Sequence, residues 1–252
     1  MCYSQGFNVY WNHPRDSCDA NAASTIKGLH YFLKSLKSEK TEVMLTVPPS
    51  RDLVRHYGLT DPLLESLSYV LVTTHKLQRC GGAVYCSGAR QYAATAFHLV
   101  RMDYGVRHRH KFAYSISARV DTFFAKEFAF ETASYKTPSE LSTLSRKKSK
   151  DVLGLSDVCQ AKRVLKSQDD ECTLVALDKI EGPGGVTWHT LVAYTSPRQM
   201  QLRMKRAFDD KMGDAPVALF DSQLDDVTGK CETNGRPPNV TPLLAAMATT
   251  EP

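Results

Sequence analysis

The 252-residue sequence has no apolar run approaching the roughly 20 residues that span a bilayer. Its opening, "MCYSQGFNVY", has neither the basic segment nor the apolar stretch of a secretory signal. Paired CxxC spacing is missing, which excludes a zinc ribbon. Tryptophan is scarce, at 2 residues, and one sign of charge is only mildly in excess, with 32 Lys and Arg against 27 Asp and Glu, net +5. That excess has two local sources, "VRHRHK" (106–111) and "RKKSK" (146–150). Basic clusters in polar loops are ordinarily solvated, so no nucleic-acid partner is expected. Carboxylates are also missing from "SQGFNVYWNHP" (4–14), a stretch that otherwise reads as a strand delivering polar groups to a turn.

What is present allows a sizeable core: hydrophobic residues make up 42% and charged residues 23%, ordinary globular values. Cysteine is plentiful for a reduced compartment, at positions 2, 18, 80, 86, 159, 172 and 231. Cys80 and Cys86 flank a Gly-Gly loop, and Cys159 and Cys172 flank a polar link, so either pair is placed to close a local disulfide. The odd total leaves one thiol over. "NVT" at Asn239 has the form of a glycosylation acceptor, followed by Pro242. These features point to an oxidising, extracellular setting, with no signal peptide in this chain.

Apolar runs and helical stripes alternate along the sequence. Phe7, Val9 and Trp11 alternate with polar positions, which predicts a short buried strand ended by Pro14. Ile26, Leu29, Phe32, Leu33 and Leu36 share one face of a helix expected over 22–38. "TEVMLTVPP" (41–49) reads as a buried strand closed by its prolines, a weaker helical segment follows at 51–66, and "LSYVLVTTH" (67–75) is β-rich again. A helix over 88–103 stops ahead of Gly105, and "HKFAYSISA" (110–118) is the next strand. From Asp121 to Tyr194 the rhythm breaks into a charged Ser/Lys tract, a short helix at 156–166 and the β-like "CTLVALDKI". Alternation resumes at "SPRQMQLRMKRAFDDKM", with Ser196 as N-cap, Pro197 at the first helical position, and Met200, Met204, Phe208 and Met212 on the core face. "APVALFDS" (215–222) is a further strand, and a last short helix falls near 240–248.

Such β/α units in series predict a parallel sheet with helices packed outside it. They are too few to close a (β/α)8 barrel, so the sheet is either open or part of a barrel, and the strand so near the start favours the second. The expected architecture is α/β: a partial TIM (β/α)8 barrel at 1–120 and 195–252, with a small α+β domain inserted at 121–194.

The segments "APVALFDSQLDDVTGKC", "EVMLTVPPS" with "YVLVTTHKL", "DYGVRHRHKFAYSISARV", and "LGLSDVCQ" followed by "WHTLVAYTSPRQMQLRMK" together resemble glycoside hydrolase family 18, the chitinases and chitinase-like lectins. In turn they look like its eighth strand, its fifth and sixth strands, the approach to the seventh, and the insertion domain with the helix after it. The opening "GFNVYWNHP" then falls on the signature fourth strand, whose pattern is DxxDxDWEYP. The resemblance implies strands four to eight plus the insertion domain, without strands one to three.

In that family the signature Glu protonates the glycosidic oxygen, and the substrate's own N-acetyl oxygen attacks the anomeric carbon, outside the two-carboxylate scheme. The Asp two residues earlier orients the acetamido group. Matched to "YWNHP", the acid position is Asn12 and the Asp position is Tyr10. A carboxamide has no proton to give at neutral pH, so general acid catalysis, worth about 10²–10⁴-fold, is lost. The sixth-strand Tyr-Asp pair becomes His75-Lys76, the seventh-strand Tyr becomes Ser117 while Arg119 matches, and the eighth-strand Trp becomes Phe220. The resemblance therefore implies a non-catalytic protein that binds chitin or another N-acetylglucosamine glycan, with no cofactor and no metal. Trp11 and Phe220 would stack on sugar, and Asn12, His13, His75 and Arg119 would hydrogen-bond to it.

Two readings stand beside that one: a scaffold or interaction protein with a protein partner and no sugar binding, and an active chitinase. Asp16, Asp19 and Asp221 are the carboxylates nearest the strand ends, and loop carboxylates are ordinarily solvated or capping groups. His108 and His110 lie one residue apart without a nearby third ligand, a weak metal signal, and are read as surface histidines. Trp188 falls in the insertion module, as an outer-cleft residue or a core one.

Overall fold

A computed structural model describes residues 6–11, 26–38, 41–55, 57–75, 90–126, 145–146, 153–158, 163–167, 173–181, 185, 187–207, 213 and 215–225. The chain forms two compact units, one from residues 1–78, 91–116 and 208–218, the other from 79–90, 117–207 and 219–252.

The first unit carries the strand–helix alternation: β1 (Gly6–Tyr10), α1 (Ile26–Leu36), β2 (Glu42–Val47), α2 (Arg51–Arg55), α3 (Asp61–Ser66), β3 (Tyr69–Val72), α4 (Arg90–Met102), α5 (Gly105–His108) and β4 (Phe112–Ser117). The strands pair side by side in the order β1-β2-β3-β4, each pairing parallel. β10 (Val217–Phe220) lies next to β4, joined by Tyr114 N–H to the Pro216 carbonyl at 2.9 Å and Ala118 N–H to the Phe220 carbonyl at 3.3 Å. Val43, Leu45 and Val47 of β2 and Val70 and Val72 of β3 share one face of the sheet through the pairs Leu45–Val70 and Val47–Val72, and all five are buried. Leu29 and Leu33 of α1, Leu63 and Leu64 of α3, and Phe97 and Val100 of α4 complete this core. The Phe97 ring meets Tyr114 edge-on at 5.5 Å, so α4 is keyed to β4.

Three expectations need correction here. The opening strand is not buried: Phe7 is 54% exposed and Tyr10 52%. Among the described residues β1 pairs only with β2, so it forms an edge of the sheet and alternation alone could not bury it. The segment 51–66 is not one helix but two, because Gly58 takes φ +57° and Pro62 starts α3 afresh. Of the expected helix at 156–166, the described residues hold helix α6 (Leu155–Val158), while Arg163–Ser167 is strand β7 instead. That strand is held by antiparallel pairing with β8 (Thr173–Glu181), and tertiary pairing overrides a weak local helical preference.

The second unit contains an antiparallel sheet. β5 (Asp121–Lys126), β6 (Ser145–Arg146) and β9 (Thr187–Tyr194) join β7 and β8 in the order β6-β5-β9-β8-β7. Val120, Val158 and Val192 form a small core, with Leu153 and Tyr194 packed on it. α7 (Pro197–Ala207) starts after Ser196, the expected N-cap, and the cap is reciprocal. The Ser196 hydroxyl accepts the Gln199 N–H at 3.2 Å, and the Gln199 side-chain oxygen accepts the Ser196 N–H at 2.8 Å. Met200 and Met204 of this helix are buried. Phe208, Met212, the expected helix near 240–248, Asn239 and all seven cysteines lie outside the described residues.

Candidate functional site

Parallel α/β sheets bind ligands at the carboxyl ends of their strands, where loops leave the scaffold. In the first unit β1 ends in Tyr10 and Trp11. Tyr10 stands opposite Thr46 of β2, one rung beyond Val9 and Leu45. Trp11 is half-buried and meets the Tyr57 ring edge-on at 5.9 Å, and its carbonyl accepts the Tyr57 hydroxyl at 3.0 Å. Tyr57 is itself buried in the turn between α2 and α3, where its carbonyl lies 2.8 Å from His30 Nε2 of α1. Trp11 is thus tied to the core through Tyr57. Asn12, His13, Asp16, Asp19 and Lys76 lie outside the described residues.

β3 runs out into Thr73, Thr74 and His75. Thr74 is buried, and its hydroxyl donates to the Ser115 carbonyl at 2.6 Å while accepting the Ser115 N–H at 2.9 Å. One side chain therefore takes up both main-chain groups of Ser115, just past the last β3–β4 pair, Val72 with Tyr114. His75 is half-buried, with Nδ1 2.7 Å from the Ser115 hydroxyl. Neither Thr74 nor Ser115 was singled out by sequence. The available signal was the serine at every second position of "YSISA", which puts Ser115 and Ser117 on one face of β4.

In the second unit, Ser117 donates to the Asp221 carboxylate at 2.6 Å, and the Arg119 N–H donates to the Ser117 hydroxyl at 3.0 Å. The Arg119 side chain is exposed, and Phe220 is half-buried at the end of β10. Asp221 takes φ +53°, ψ +35°, the one non-glycine residue with positive φ among the described residues. Trp188 sits in β9 opposite Lys126 of β5 and Ile180 of β8.

The first unit also carries charged groups held by hydrogen bonds and ion pairs. Lys111, just before β4, donates to the carbonyls of Leu64 and Leu67 at 2.6 and 2.7 Å and caps the end of α3. Burial lowers the Lys111 pKa, with the charge on Lys37 adding to it. Asp103 is held below the usual carboxylate range by its hydrogen bonds from Arg51, against the opposing effect of desolvation. Tyr104 stacks on Phe112 at 4.9 Å, and burial pushes its phenol up to about 12, helped by the Asp103 charge. His108 is buried rather than on the surface, with Nε2 3.3 Å from the Asp61 carboxylate of α3, whereas His110 is exposed. Among the described residues no three His, Cys, Asp or Glu side chains group closely enough to hold a metal ion. No helix among them is long and apolar enough to cross a membrane.

No family model and no curated protein matches the sequence. Solved structures do match its fold. YKL-39, solved in the presence of chitooligosaccharides (GlcNAc4), aligns with a TM-score of 0.61 and 13% identity over 98% of this chain and 68% of its own. The Ostrinia furnacalis Group II chitinase catalytic domain 2 aligns with a TM-score of 0.61 and 14% identity, covering 98% of this chain and 67% of its own. The Ostrinia furnacalis Group IV chitinase in complex with allosamidin aligns with a TM-score of 0.60 and 14% identity, covering 97% and 67%. Over the part that it spans, the chain has the fold of glycoside hydrolase family 18, shared by these chitinases and chitinase-like proteins.

Proposed function

We propose that this chain is a non-catalytic, chitinase-like protein that binds chitin or another N-acetylglucosamine oligomer at the carboxyl ends of its parallel strands. The observation that carries the reading is the sequence "YWNHP", in which Tyr10 and Asn12 stand at the positions that the resemblance gives to an Asp and the acid Glu. A carboxamide cannot protonate a leaving oxygen, and a half-exposed phenol is a poor substitute for the carboxylate that orients an acetamido group. Trp11, Asn12, His13 and His75 are the binding groups of the first unit. Trp11 is tied to the core by the edge-on Tyr57 ring, and His75 Nδ1 lies 2.7 Å from the Ser115 hydroxyl. Chitooligosaccharides accompany one of the fold relatives, which supports the ligand class. The same reading takes 121–194 as the inserted α+β module, since the antiparallel strands fall between β4 and α7 in chain order. The cysteine content supports an extracellular setting for it.

The test is a paired titration of purified protein with a chitin tetramer, with binding read by calorimetry and cleavage by product analysis. Binding without cleavage is the expected result, and cleavage would overturn the non-catalytic assignment. A folded protein that neither binds nor cleaves would favour the scaffold reading, for which Tyr31 and Phe32 speak: adjacent on α1, they are 80% and 48% exposed.

A further inference from the structure

Of the carboxylates that follow strand ends, Asp221 lies among the described residues, and the fold makes little use of its charge. β4 and β10 run parallel, since their hydrogen bonds advance together from Tyr114–Pro216 to Ala118–Phe220. Ser117 and Asp221 therefore stand at one carboxyl edge, the edge at which parallel sheets bind ligands. The left-handed backbone of Asp221 suits glycine or asparagine as well as aspartate, so the turn itself asks for no charge. Nor does the side chain cap the helical turn Ser222–Leu224 that follows, the ordinary employment of a loop carboxylate. Instead Oδ2 accepts the Ser117 hydroxyl, whose oxygen in turn accepts the Arg119 N–H. The Ser117 proton is thus committed to Asp221, and the carboxylate is held in one orientation. Among the described residues no lysine, arginine or histidine pairs with it, and no three-ligand cluster gathers for a metal ion. A half-buried carboxylate of this kind is best matched by a cation carried on a ligand.

We infer that Asp221 is a specificity-determining residue that takes the protonated amine of a deacetylated glucosamine unit, so that the site favours partly deacetylated chitin over the fully acetylated polymer. An ammonium meets the carboxylate in a charge-assisted hydrogen bond, about twice as strong as a neutral one. An acetamido N–H offers only the weaker bond and brings an acyl group with it. This deepens the glycan-binding proposal and rests on it for the ligand class.

The experiment titrates the full chain by calorimetry with glucosamine tetramer and with chitin tetramer, at a mildly acidic pH that keeps the free amines protonated. The glucosamine tetramer should bind more tightly. Asp221→Asn is the discriminating variant: asparagine suits the left-handed backbone and its side-chain oxygen still accepts from Ser117, so the charge is removed and little else. It should weaken the glucosamine tetramer about 5–10-fold more than the chitin tetramer. An equal effect on both ligands would be the mark of a structural role and overturns the assignment. A second arm needs no variant. The chain carries a net charge of +5, which repels a cationic ligand, so only a local anion makes that ligand's affinity fall with salt. A glucosamine-tetramer affinity that holds or rises from about 50 to 200 mM salt overturns the assignment as well. If the chitin tetramer binds and the glucosamine tetramer does not, the role of Asp221 fails while the glycan reading stands. A folded protein that binds neither ends both.

Discussion

Tyr10 and Asn12 differ from the acidic residues of the matched pattern in ways that do not compensate each other. Asn12 has no acidic proton to give, while Tyr10 has an aromatic ring where the resemblance puts a small anion facing the acetamido group. Restoring the acid alone, by Asn12→Glu, should therefore leave hydrolysis of chitin oligomers undetectable; turnover by that single variant would remove Tyr10 from the account. A different residue gives a prediction about pH. The folded protein keeps the Tyr104 proton up to about 12, whereas an unfolded tyrosine loses it near 10.0. The unfolded state then binds fewer protons, so Tyr104 contributes a loss of stability as pH rises between these values. Lys111 acts the other way, since its folded pKa is lowered, but only up to its ordinary value of 10.5. Above that, chemical denaturation should show falling stability, and Tyr104→Phe should flatten the fall. The carboxylates, the histidine and the tyrosines could all be listed from sequence. What could not be read was which of them are buried.

Among the elements, those with strong periodicity or long apolar runs were legible. β2, β3, β4 and α4 lie where the sequence puts them, within a few residues at each end. α7 shows why local chemistry reads well, since its cap needs only Ser196 and Gln199 on the same turn. β7 shows the opposite case. Its strand state depends on β8, and nothing inside residues 163–167 announces a partner that follows it in the chain. The second unit also contains a close approach invisible to sequence. A Cβ on Gly154 would stand 2.5 Å from the Leu224 carbonyl oxygen, a backbone atom that cannot rotate away. Gly154→Ala should destabilise the protein by about 1–3 kcal/mol, read as a lower denaturant midpoint with an unchanged slope.

For the molecule as a whole, the net charge of +5 leaves open an anionic partner as a competitor to a glycan. Chitin oligomers are uncharged, so tetramer affinity should hold between about 50 and 200 mM salt, where a binder of several phosphates loses about three orders of magnitude or more. A steep salt slope would point away from a neutral sugar. The chain's own chemistry determined the alternation of strands and helices, the helix caps and the identity of the residues at the strand ends, because these depend on neighbours within a turn or two. Tertiary structure alone decided that β1 lies at an edge with Phe7 exposed, and that Trp11 leans on Tyr57. It also decided that His75 meets Ser115, 40 residues later in the chain. Such contacts are set by which strands lie side by side in the sheet, and pairing between distant segments is not encoded in the periodicity of either one.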